Sequence, residues 1–105
     1  MKLEDAKLMC ESLMKHHGVY GYKFTWLKRM KKFNRAGQIN YSTKEISLQP
    51  TFVELNYPAV VKWTILHELA HAMWPKNGHG SLWRKSAQIM GDDGKRCYGK
   101  YVKKN

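Results

Sequence analysis

Acidic residues are what this chain has least of. Between Glu11 and Glu45 there is none, and none follows Asp93, so 8 Asp and Glu stand against 19 Lys and Arg for a formal net charge of +11. Cysteine is scarcer still. Cys10 and Cys97 lie far apart and form no CxxC pair, which argues against a zinc ribbon and a disulfide-built scaffold and leaves two free thiols as the expectation. No stretch approaches the roughly 20 apolar residues of a membrane helix. The opening MKLEDAKLM carries acids and no apolar run, so neither a secretory nor a transit signal is expected. A soluble intracellular protein, cytoplasmic or associated with nucleoid or nucleus, follows as the expectation, with no membrane partner.

What is present suffices for one compact interior. In 105 residues, 43% are hydrophobic, with four Trp, six Tyr and three Phe, so a single domain over 1–105 with a basic tail from about residue 92 is expected, and a monomer is the default. The first acid-free block holds Lys23, Lys28, Arg29, Lys31, Lys32 and Arg35, and the last holds Lys95 and Arg96. Such blocks suit a polyanion, DNA foremost, whose phosphates bind them by counterion release. A solvated basic surface is the competing reading. Tyr20, Tyr22, Phe24, Trp26 and Phe33 interleave with these cations, a mixture that suits unpaired, single-stranded nucleic acid. The buried face of a strand explains the alternating aromatics more simply.

The chain reads as alternating short elements. Residues 3 to 17 repeat Ala6, Cys10, Leu13 and Met14 at helical spacing, with Glu4 and Asp5 at the positive end and Lys15 to His17 at the negative end, and Gly18 as a stop. His16 and His17 are thus partners of the helix dipole rather than ligands. YGYKFTWL alternates with the period of a half-buried strand, and QINY and EISLQ are shorter candidates bounded by Ala36-Gly37 and Ser42-Thr43-Lys44. NYPAVVKWTILHELAHAMW opens near Pro58 and closes before Pro75. Val60, Val61, Trp63, Ile65, Leu66, Leu69, Ala70 and Met73 surround it almost completely, so it belongs in the interior. A last helix runs from Ser81 as N-cap to Gly91.

The interior helix carries HELAH. His67 and His71 are four residues apart, so their imidazoles leave the same face one turn apart and suit a single ion, while Glu68 stands beside the first ligand, in reach of an attacking water. Two helix histidines with polar partners are the bland alternative. A catalytic zinc takes three protein ligands and an open position. No glutamate follows Glu68, and the metzincin spacing meets Asn77 and Trp74, which leaves His79 in the GHG turn, with Asp92 and Asp93 as the fallback. For the developing oxyanion no donor besides the metal is evident; Tyr98 and Tyr101 are candidates without an argument.

With HELAHAMW, the GHG turn and SLWRKSAQIMG in view, together with WLKRMKKFNRAGQIN and EISLQP before them, the chain resembles the SprT-like zinc metallopeptidase family, which includes the Spartan protease. The resemblance spans roughly residues 20 to 91. It implies an α+β, zincin-like domain: a small antiparallel sheet of about three strands packed on a buried HExxH helix, with N-terminal and C-terminal helices. It also implies one zinc ion on His67, His71 and His79, with Glu68 as general base, hydrolysing peptide bonds in proteins bound or crosslinked to DNA. The connection from His71 to His79 is shorter than the family's commoner one, and the zinc ribbon of some members is missing. Two rivals remain: a zinc peptidase with no nucleic-acid role, and a non-enzymatic basic module with a structural metal.

Overall fold

A computed structural model describes residues 1–73, through the end of the HELAH helix. The helix expected after Ser81, the GHG turn with His79, and Lys95 and Arg96 lie outside the described residues.

Helix α1 spans Leu3–His16 and buries Ala6, Cys10 and Met14, one residue per turn. Its end follows from Gly18, whose φ of +71° only glycine takes without strain. There the Val19 amide donates to the Met14 carbonyl at 2.8 Å and Gly18 to Lys15 at 3.3 Å, a Schellman closure with Met14 and Val19 both buried. Burial pushes the Cys10 thiol up to about 12, with the Glu11 charge adding to it, so the residue acts as a small apolar side chain.

Strand β1 is Lys23–Trp26, β2 Gly37–Asn40 and β3 Glu45–Leu48. Their order is β1-β3-β2, with β2 antiparallel to β3 and β1 parallel to it. The sheet is therefore mixed, not the antiparallel one expected. The β2–β3 hairpin closes tightly because the Asn40 side chain accepts from Ser42 and Thr43 amides at 3.0 and 3.1 Å and Lys44 takes φ +59°. β3 is the most buried strand, from Ile46 to Leu48, and it has a neighbour on each side. The 27–44 connection, which carries β2, lets β1 take the second side in parallel, a pairing that needs a dozen or more residues of connection. Tyr20 falls outside β1 and is 76% exposed, whereas Tyr22, Phe24 and Trp26 pack against the core.

Between β3 and the central helix lies an element that the sequence reading lacked. Helix α2, Pro50–Leu55, has Pro50 in its first turn and Gln49 as N-cap, accepting from the Thr51 amide at 3.3 Å. It buries Phe52 and Val53.

Helix α3 covers Pro58–Met73, and every residue from Thr64 to Ala70 is buried. It packs on α1, β2 and β3. The expected apolar belt holds for Val61, Ile65, Leu66, Leu69 and Ala70. Val60 and Trp63 are only half-buried and Met73, at the helix end, is 44% exposed. Among the described residues no helix is long and apolar enough to cross a membrane.

Candidate metal centre

Because α3 is buried from Thr64 to Ala70, the ionisable groups of its second half, His67, Glu68 and His71, open on the side facing β2. His67 and Glu68 are buried, at 5% and 6% exposure, and His71 is half-buried one turn on. The two imidazoles stand 5.1 Å apart, centre to centre, at 65°. Trp63, a turn earlier, lies against the His67 ring at 5.3 Å, which limits its rotation.

The facing wall is β2 with its two flanks. A cleft of about 400 Å³ has Arg35, Gln38 and Tyr41 on one side and His67, Glu68 and His71 on the other. β2 comes this close because Gly37 lacks a side chain: a Cβ there would meet Thr64 Cγ2 at 3.2 Å and Leu48 Cδ2 and the Ser47 carbonyl oxygen at 3.3 Å. The Tyr41 hydroxyl donates to the His71 carbonyl oxygen at 3.4 Å, tying the hairpin turn to the last turn of α3. Burial, then the charges of Glu68 and Tyr22, raise the Tyr41 phenol above its ordinary value.

Burial pushes the Glu68 carboxyl up to about 7, against the pull of the Arg35 charge. A carboxyl so placed titrates near neutrality, where a group that both takes and returns a proton is most effective. The two imidazoles suit a shared divalent ion: with metal–nitrogen bonds of about 2.1 Å, rings on one tetrahedral ion stand roughly 5 Å apart, as these do. Among the described residues no three His, Cys, Asp or Glu side chains gather as a complete ligand set, and the expected third ligand, His79, lies outside them.

The remaining predicted residues scatter. Lys28, Arg29, Lys31 and Lys32 lie exposed on the 27–36 loop, where Arg29 pairs with Glu54 through both carboxylate oxygens. Lys23 lies elsewhere, in a cleft of about 520 Å³ between α1 and β1 with Lys7, Lys15 and Tyr20. Among the described residues, Arg35 alone of the predicted nucleic-acid cations enters the HELAH cleft. Sequence reasoning passed over Tyr41, Gln38 and the packing role of Trp63. Trp63 carried a signal, standing four residues before His67 on one helix face; Tyr41 and Gln38 carried none, since only the sheet's packing on α3 brings them in.

The fold is similar to that in the crystal structure of the metallopeptidase zymogen of Methanocaldococcus jannaschii jannalysin, with a TM-score of 0.69, 20% identity, and coverage of 80% of this chain and 79% of that one. No curated protein matches the sequence. The model of the SprT-like family matches residues 7–101, nearly the whole chain, and the protein belongs to the SprT-like family.

Proposed function

We propose that the protein is a zinc-dependent endopeptidase of the zincin type, acting on proteins bound or crosslinked to DNA. The observation that carries this reading is a buried Glu68 beside two imidazoles at chelating distance, opening on a cleft walled by a strand. A purely structural ion has no use for a buried carboxylate at its side. The metallopeptidase fold of the similar structure and the SprT-like family support it.

His67 and His71, with His79 from beyond the described residues, are the groups that would hold the ion. When bound, zinc would lower the pKa of a water and polarise the scissile carbonyl. Glu68 takes the proton of the attacking water and delivers it to the leaving amine nitrogen. Among the described residues β2 is an outer strand, paired by β3 on one side, so an extended polypeptide can add to it by main-chain hydrogen bonds, a mode that reads little sequence. Burial around Glu68 limits competing solvent.

The DNA half rests on charge. Lys7, Lys15, Lys23 and the exposed Tyr20 ring share the α1–β1 cleft with one acid, Glu11, and the excess of cations beside an open ring suits phosphates and an unstacked base. That cleft shares no lining residue with the HELAH cleft, so a nucleic acid there leaves the latter open. The pairing of Arg29 with Glu54 favours the rival peptidase without a nucleic-acid role at that one position.

The test is paired. Bound zinc is measured in wild type and His79→Ala, and DNA-stimulated cleavage of a DNA-bound protein in wild type and Glu68→Gln. Full zinc in the alanine variant removes His79 from the ligand set. Equal cleavage by wild type and Glu68→Gln refutes the base, and cleavage indifferent to DNA leaves the peptidase without its DNA half.

A further inference from the structure

The HELAH cleft does not end at β2. A second groove, about 340 Å³, runs between the 27–36 loop and β2, and both have Arg35 and Gln38 in their walls. Lys28 and Lys32 line this groove beside the apolar Leu27 and Met30. Among the described lining residues of both, Glu68 is the single acid, and it sits at the catalytic end. The loop's ion pair belongs to Arg29; Lys28, Lys32 and Arg35 are not ion-paired among the described residues.

From the shared wall we infer that this groove is a subsite for an acidic segment of the substrate polypeptide, and that Arg35 is the specificity-determining side chain at its junction with the catalytic cleft. The inference rests on the peptidase reading above. An extended chain advances about 3.3 Å per residue, so a polypeptide held along β2 reaches the groove within a few residues of the scissile bond. Being already tethered, it needs no separate encounter. A nucleic acid in the groove would have to pass the peptide at the common wall.

The lining chemistry agrees. A guanidinium matches a carboxylate in two-point fashion, whereas the two lysines act as point charges tolerant of position. Leu27 and Met30 suit the methylene stem of glutamate. Since these cations are solvent-exposed, each acidic residue is expected to add about fivefold in affinity at low salt, and the gain shrinks as ionic strength rises.

The experiment measures binding apart from cleavage. Fluorescent peptides with Glu, Gln or Lys at positions two to four residues on either side of a fixed central sequence are titrated onto zinc-loaded Glu68→Gln, which cannot consume them. Expected is a preference for Glu over Gln over Lys on one side of the centre. That preference collapses when Arg35→Gln and Lys32→Gln are added, and turns towards Lys with Arg35→Glu. Equal affinities for the three peptides overturn the inference, as does a preference that survives both neutralisations. A single-stranded oligonucleotide is run as competitor; if Arg35→Gln weakens the oligonucleotide and leaves the peptide order intact, the groove belongs to nucleic acid and the inference falls. Hydrolysis of the Gln peptide by wild type is scored separately and reports on the peptidase reading alone. Loss of hydrolysis with the binding order kept, or the reverse, tells the two failures apart.

Discussion

At the end of α1, His16 and His17 stand 4.8 Å apart, ring centre to ring centre; at the end of α3, His67 and His71 stand 5.1 Å apart. By spacing alone the pairs are nearly alike. Their surroundings differ in every other respect. His16 is exposed and His17 half-exposed, so water solvates either charge state and a helix C-terminus welcomes the cation. His17 titrates below the ordinary histidine range through partial burial, then the charges of His16 and Lys62, a set that repels a further cation. His67 is buried, Glu68 is its neighbour, and the pair opens on a walled cleft. Two close imidazoles thus say little; burial beside a carboxylate, on the wall of a cleft, is what sets the α3 pair apart from a solvated helix end.

The largest contrast should come from removing one ring in each region. His67→Ala is expected to lose bound zinc and hydrolysis together, whereas His16→Ala keeps both; metal analysis beside a peptide assay checks this, and equal zinc loss in the two variants would erase the distinction. Glu68→Gln comes next. It should lower hydrolysis by about 10²- to 10⁴-fold while zinc stays bound, since the role proposed for the carboxylate is to carry a proton and not to hold the ion. Single-turnover kinetics on metal-loaded protein separates that outcome from simple metal loss.

A third expectation concerns the metal-free chain. The Glu68 carboxyl lies near 7 when folded against an ordinary 4.5, so between those values the folded state keeps a proton that the unfolded state releases. Stability therefore falls as pH rises from about 4.5 to about 7, by about 3 kcal/mol in total, and is unaffected by this group below that range. Denaturant melts of wild type and Glu68→Gln across the window should show a slope in the first that is flattened in the second.

The smallest effect sits at the other pair. By NMR titration His17 should show a midpoint below that of an unperturbed histidine, and Lys62→Gln should move it part of the way back, because Lys62 is the least of its three causes. A midpoint unmoved by Lys62→Gln, yet restored by His16→Ala, would leave burial and His16 as the full account.

Much of this was written locally in the chain. The Ala6, Cys10, Met14 repeat and Gly18 define α1 because helix period and a left-handed stop are properties of a few neighbouring residues. Pro58 and the HELAH spacing place two imidazoles and a carboxylate on α3 for the same reason. The parallel seating of β1 against β3 was not legible: KFTW and EISL alternate alike whichever way they run, and only the competition for β3's two sides decides. Helix α2 escaped notice because PTFVEL is too short to show a period, though Pro50 after a capping Gln49 was its signal. Arg35, Gln38 and Tyr41 share the cleft through strand-on-helix packing, which joins residues some thirty positions apart and leaves no trace in local pattern.

Gly37 gives that packing a further meaning. Thr64 on the helix and Ser47 and Leu48 on β3 stand within 3.3 Å of where its first carbon would go, so any larger residue makes its neighbours give by a few tenths of an ångström. The seating of the strand on the helix, and with it the width of the cleft they wall, depends on the one residue type that has no side chain.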